Sequence, residues 1–110
     1  MNEHWKTINY LAEDLSSYSS LPIEQQWLVQ AVKLQEECGE VAEAVVGALG
    51  ESPRKGFSHT WDDVRSEACD VIITGMVLLA RMGGDPECFF RDHLRTVTAR
   101  TTEKKEDTHS

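Results

Sequence analysis

The stretch Lys33-Leu34-Gln35-Glu36-Glu37-Cys38-Gly39-Glu40-Val41-Ala42-Glu43 decides the reading of the chain. Its apolar members belong to a longer series, Trp27, Ala31, Leu34, Cys38, Val41, Val45 and Ala48. Steps of four and three residues are the seam of a helix packed nearly parallel to its neighbours. The segment begins at Pro22, a favoured first helical residue, and stops at Gly50, which suits the left-handed position beyond a C-cap.

The same punctuation divides the rest of the chain. Proline and glycine cluster at Leu21-Pro22, at Gly50 to Gly56 and at Gly83-Gly84-Asp85-Pro86, so four segments result. The first, about Glu3 to Tyr18, carries Ile8, Leu11, Leu15 and Tyr18 on one helical stripe. The third opens at Thr60, whose hydroxyl can cap while Asp63 completes a capping-box-like pair, and its seam is Trp61, Val64, Ala68, Val71, Gly75, Leu78 and Met82. From Val71 onward Ile72, Ile73, Met76, Val77 and Leu79 add apolar surface on its other faces. A helix apolar all round has too few neighbours in so small a domain, which predicts oligomerisation. In the fourth segment Asp85 caps, Pro86 opens the helix, and Phe89, Phe90, Leu94 and Val97 follow. The expected fold is an all-α, four-helix-bundle-like single domain over residues 1–100, with a polar, disordered tail over 101–110.

Composition bounds what such a bundle does. The chain has 110 residues with 11 Lys+Arg against 19 Asp+Glu, a formal net charge of −8, so no phosphate-backbone footprint is expected and nucleic acid is excluded as a partner. Hydrophobic residues at 40% and charged residues at 27% fit a folded globular domain rather than a disordered chain. The longest nearly unbroken apolar run, Val71 to Ala80, is far short of the ~20 residues of a membrane span. The first ten residues show no signal-peptide pattern, and three cysteines without CxxC spacing support neither a disulfide framework nor a zinc ribbon. A reduced, cytoplasmic protein is the expectation. Cys38 and Cys69 read as packing residues.

The acidic residues can be placed by angle. At about 100° per residue with Leu34 at zero, Glu37 falls at about −60° and Glu40 at about −120°, while Glu36 and Glu43 fall near 180°, toward solvent. With Val71 at zero on the third helix, Glu67 falls near −40° and Asp70 near −100°. Each helix thus offers two carboxylates at i, i+3 beside its packing face. Where the two helices are neighbours, the four converge, and close carboxylates in a partly buried place repel one another. An all-oxygen set without His or Cys suits Mg²⁺, or Mn²⁺, better than zinc or copper.

The two segments Glu36-Glu37-Cys38-Gly39-Glu40 and Glu67-Ala68-Cys69-Asp70, with twenty-six residues between Glu40 and Glu67, resemble the EExxE…ExxD motif of the MazG-like all-α nucleotide pyrophosphohydrolases. The similarity covers about Leu21 to Arg100. It implies a MazG-type bundle in which Glu37, Glu40, Glu67 and Asp70 are metal ligands. It also implies Mg²⁺-dependent hydrolysis of a nucleoside triphosphate, ribo or deoxy, to the monophosphate and pyrophosphate. The attacking water would be activated by the metal at the α-phosphorus, with a carboxylate of Glu36, Glu37 or Glu40 accepting the proton. Alternatives within reach are a phosphoribosyl-ATP pyrophosphohydrolase, which uses a similar acidic helix pair, and a non-catalytic nucleotide- or metal-binding regulatory module. A di-iron carboxylate bundle needs Glu-x-x-His pairs, and neither Glu37-x-x-Glu40 nor Glu67-x-x-Asp70 supplies the histidine.

Candidate substrate contacts are fewer and weaker. Lys33, one turn before Glu37, can meet a phosphate or pair with Glu37. Arg54 and Lys55 form a basic spot between the two acidic helices, and Arg91, Arg95 and Arg100 lie on or just after the fourth helix. There the family often carries a Lys/Asn/Arg set, and the stretch Arg91 to Arg100 has no Asn. Trp27 and Trp61 suit core packing or base stacking. His59 and His93 read as surface or structural histidines. The expected partners are a nucleoside triphosphate and further copies of the chain, as a homodimer or homotetramer, with no nucleic acid and no membrane.

Overall fold

A computed structural model describes residues 2–109 and is built of four helices: α1 (Glu3–Ser17), α2 (Ile23–Ala48), α3 (Trp61–Arg81) and α4 (Pro86–His109). Among the described residues there is no strand, only an isolated bridge between Ser52 and Gly56 in the α2–α3 loop. No helix is long and apolar enough to cross a membrane.

Local chemistry sets the helix ends. Asn2 accepts from the His4 amide at the start of α1, and Thr60 and Asp63 exchange reciprocal bonds of 2.8 and 3.1 Å, a full capping box on α3. Asp85 Oδ1 accepts from the Cys88 amide at the start of α4. Pro22 stands one residue before α2, as its N-cap, instead of at its first turn. At the far end of α2, Glu51 N donates to Val46 O and Gly50 N to Gly47 O, a Schellman closure that requires the positive φ of +74° at Gly50. The Phe57 ring lies directly over Gly50, where any side chain would collide with it.

α2 and α3 run antiparallel as the central pair, and α1 packs on α3. Trp5, Ile8, Ala12 and Val77 form the buried core, bordered by Met76, Leu79 and Ala80. Trp5 also meets Phe90 of α4, ring centroids 6.0 Å apart. At the lower end of the α2–α3 pair the packing is polar. Arg81 donates to Gln30 Oε1 at 2.7 Å, Gln26 Oε1 at 3.0 Å and Ser16 Oγ at 3.2 Å, while its carbonyl accepts from the Trp27 indole at 3.1 Å. One guanidinium therefore ties α1, α2 and α3 together, and the two buried glutamines are satisfied by it.

Three expectations need correcting. The face of α2 that packs is rotated from the 4-3 seam toward the acidic stripe: Gln26, Gln30, Ala44 and Gly47 are buried, whereas Ala31 and Cys38 are exposed. The polar end of the interface causes this, because two glutamines occupy positions that apolar spacing alone overlooks. Cys38 and Cys69 are therefore exposed and do not pack. Finally, α4 continues through the 101–110 segment as far as His109. Threonine hydroxyls at Thr98, Thr101 and Thr102 bond back to carbonyls four residues earlier along this stretch.

Candidate metal centre

Midway along the α2–α3 pair, Glu37 faces Glu67 and Asp70. One carboxylate oxygen from each lies within 4.8 Å of the others. The rotation of α2 causes this convergence, since Glu37 sits in the packing face and is half-buried, as is Glu67 opposite. Glu40, one turn on and exposed, stands within hydrogen-bonding reach of both glutamates. Three of the four carboxylates named from helical phase, Glu37, Glu67 and Asp70, are thus brought together, with Glu40 beside them.

Their electrostatics are unfavourable as they stand. The Glu37 carboxyl is pushed above the ordinary glutamate range, first by its hydrogen-bonding proximity to the Glu40 side chain, then by desolvation and by the charges of Glu40, Asp70 and Glu67. Glu67 is pushed up as well, chiefly by desolvation and then by Glu40 and Asp70. Only His59 acts in the opposite sense on Glu67, and among the described residues no cation acts on Glu37. Glu67 Oε2 is buried and has no hydrogen-bond partner. A carboxylate oxygen accepts and never donates when ionised, so this atom calls for a proton or a cation. An oxygen-only donor set with a buried, donorless lone pair fits a hard divalent ion.

Glu36 is exposed on the far side of α2 and does not enter the set. Lys33 lines a groove of about 210 Å³ between α1, α2 and α3, together with Glu37, and makes no ion pair with it among the described residues. Arg54 and Lys55 line a separate hollow beside Glu43 and Val46, on the opposite side of α2 from the carboxylates. Arg91 donates to Cys88 Sγ and Arg95 pairs with Asp92, both within α4. Arg91, Arg95 and Arg100 are exposed, and no bond or ion pair joins them to the cluster among the described residues. Trp27 is committed to the Arg81 carbonyl, roughly 15 Å of helix away from Glu37. Trp61 is 54% exposed, so it is not core either. His93 is exposed on α4.

The residue that spacing does not single out is His59. Its Nδ1 lies 2.8 Å from Ser58 Oγ, and its ring and Ser58 press onto the bare backbone of Gly47, where a Cβ would clash with both. The Ser58 amide also donates to Gly47 O at 3.2 Å. The only clue in the sequence is a glycine inside a helix, which spacing alone does not connect to a histidine twelve residues away. No protein-family model, curated protein or solved structure matches the chain.

Proposed function

We propose that this chain is a Mg²⁺-dependent nucleotide pyrophosphohydrolase, converting a (d)NTP to the (d)NMP and pyrophosphate, with Mn²⁺ as an acceptable substitute. The observation that carries this reading is the buried Glu67 Oε2, without a donor, inside a set of converging carboxylates from two helices. The residues that would hold the ion are Glu37, Glu67 and Asp70, with Glu40 beside them. Once bound, the ion supplies charge neutralisation at phosphate oxygens and an acidified water at neutral pH. The chain's own groups do the rest. Glu40, exposed and in reach of Glu37 and Glu67, is placed to accept the proton of an attacking water. Lys33 offers an uncommitted ammonium beside Glu37 for a phosphate oxygen. A protein of net charge −8 can accept an anionic substrate because a cation stands between the two.

A homo-oligomer belongs to the same proposal, since Ile72 is 60% and Ile73 42% exposed on the central helix. One observation favours a second reading, a regulatory module that binds nucleotide without turnover: no hydrogen bond or ion pair among the described residues joins the arginines of α4 to the cluster. The deciding experiment is pyrophosphate release from a panel of NTPs and dNTPs, with phosphoribosyl-ATP included, with and without Mg²⁺. Turnover that needs the ion and is lost in both Glu37→Gln and Asp70→Asn supports the enzyme. Nucleotide binding without pyrophosphate release supports the module.

A further inference from the structure

The hollow on the opposite side of α2 from the carboxylates is built by the end of one helix and one closed loop. Its apolar lining is Ala42 and Val46 from α2 and Pro53 from the loop, and Val46 stays 42% exposed there. Backbone bonds hold the loop shut: Gly56 N donates to Ser52 O at 3.0 Å, and Lys55 N donates to Ser52 Oγ at 3.3 Å. Ser58 N donates to Gly47 O and so pins the far end of the loop to α2. Arg54 and Lys55 thus line, side by side, a cavity of about 500 Å³ whose backbone is tied down. Exposed Arg65 and Arg95 each pair with an aspartate three residues away. Arg54 and Lys55 make no ion pair among the described residues, although Glu43 lines the same hollow. The Ser52 hydroxyl accepts from the Lys55 amide and keeps its own proton to donate.

We infer that this hollow is a second ligand site, separate from the carboxylates, and that it takes a phosphomonoester whose body carries hydroxyl groups: a sugar phosphate or a nucleoside monophosphate. The guanidinium of Arg54 offers a planar fork, Lys55 a point charge and Ser52 a hydroxyl proton, a donor set that matches the terminal oxygens of one phosphate group. Glu43, when ionised, only accepts, so it repels a phosphate set against it and meets a hydroxyl of the body instead. Val46, Ala42 and Pro53 leave an apolar surface on which a sugar or base can lie. The volume falls within the ~300–1,000 Å³ of sites that hold a whole small ligand. Inorganic phosphate is the poorer ligand, because it has no body to meet Glu43 and the apolar lining. With a net charge of −8 the chain as a whole repels anions, so the affinity comes from the local cation pair and is screened by salt. No divalent ion takes part and no bond is broken, so the inference does not rest on the pyrophosphohydrolase reading.

The test is calorimetric titration of the full chain with AMP, ribose 5-phosphate and inorganic phosphate, in EDTA at low ionic strength. EDTA keeps divalent ions, and any phosphate they bridge, away from the carboxylates. AMP and ribose 5-phosphate are expected to bind at one site, more tightly than inorganic phosphate and less tightly as sodium chloride is added. Tighter binding of AMP assigns the apolar lining to the base, and equal affinities assign it to the sugar. The double variant Arg54→Gln/Lys55→Gln is expected to weaken binding by at least about tenfold. Ala42→Trp, which fills the hollow and keeps both cations, is expected to do the same, while Lys33→Gln beside Glu37 leaves binding unchanged. All four positions are exposed, so far-UV circular dichroism should not change in any variant. The inference is overturned if none of the three compounds binds at millimolar concentration or if inorganic phosphate binds as tightly as either ester. It is also overturned if the double variant or Ala42→Trp binds like wild type, or if Lys33→Gln loses binding. Pyrophosphate release is not measured, so the enzyme reading stands or falls separately.

Discussion

The chain exposes more surface than the scaling for a compact monomer of its mass predicts. A compact monomer of 12.4 kDa is expected to expose about 6,100 Å² by the scaling of folded surfaces with mass, whereas this chain exposes 8307 Å². The difference is about 2,200 Å², so a symmetric pair covering it would bury about 4,400 Å² in total, within the range of obligate dimers. Part of the excess lies on α4, exposed from Phe89 to Lys105, and part on the outer face of α3 around Ile72. The perturbation to make is Ile72→Glu. Full burial of an isoleucine contributes about 1.5–3 kcal/mol, so the 60% of Ile72 still exposed leaves about 0.9–1.8 kcal/mol per copy. Over two copies that weakens the dimer roughly 20- to 400-fold, at about 1.4 kcal/mol per tenfold. Light scattering coupled to size exclusion reads the result directly. Wild type is expected at a multiple of 12.4 kDa, and Ile72→Glu at lower mass with unchanged helical circular dichroism. A clean 12.4 kDa wild-type monomer at micromolar concentration refutes the reasoning, and a variant that assembles like wild type removes Ile72 from the interface.

Glu67→Gln is expected to raise the melting temperature of EDTA-treated protein at neutral pH, because it removes one member of a mutually repelling set. The same variant should lose the stabilisation by Mg²⁺ or Mn²⁺ that is expected of wild type in thermal shift. The pH dependence follows in sign from the shifts at three carboxyls. Glu37 and Glu67 are raised, so their contribution is full below the ordinary glutamate range and is lost as pH rises through their raised values. Asp63 is lowered by the Thr60 amide and hydroxyl, so its contribution is present above the ordinary aspartate value and lost as pH falls through its lowered one. Urea melts of ion-free protein between about pH 4 and 7 should therefore show stability falling toward neutrality, and Mg²⁺ should flatten that fall. Thr60→Ala removes the α3 cap and is expected to cost about 1 kcal/mol, visible as a drop of roughly 4–8 °C in Tm.

Much of this architecture is legible in the sequence because the signals are local. Thr60 with Asp63, Asp85 before Pro86, and Gly50 after α2 are capping chemistry over a few residues, and the structure places each at its helix end. The carboxylate set is legible too, since i, i+3 spacing fixes relative angle whatever the partner helix does. What escapes is chemistry between distant residues. The rotation of α2 depends on Arg81 reaching Gln26 and Gln30, pairs more than fifty residues apart that periodicity of apolar residues cannot register. Trp61 shows the same limit: its seam position sits at the first turn of α3, beyond where α2 or α1 covers it, so it stays exposed. His59 lies within electrostatic reach of Glu67 and packs where Gly47 leaves room for it.

Two stretches of the α2–α3 interface, one at the Arg81 end and one midway along the pair, make a controlled comparison within one molecule. At the Arg81 end, three donors of a guanidinium meet three acceptors, both buried glutamines are engaged, and Trp27 closes the last carbonyl. About three to four turns along the same helices, Glu37 and Glu67 face each other with their proton affinities raised and Glu67 Oε2 left bare. Helices that satisfy polar groups so fully in one stretch have the means to place a lysine or arginine in the other. Lys33 is only one turn from Glu37, yet it makes no ion pair with any of the four carboxylates among the described residues. Repulsion between like charges in a packed interface destabilises the fold unless a partner supplies the missing positive charge. Among the described residues no ion pair supplies it, and His59 only partly offsets the repulsion at Glu67. The asymmetry therefore argues for a diffusible cation at the acidic stretch, and it makes the metal dependence of stability, measured before any substrate is added, the most direct probe of what the site is for.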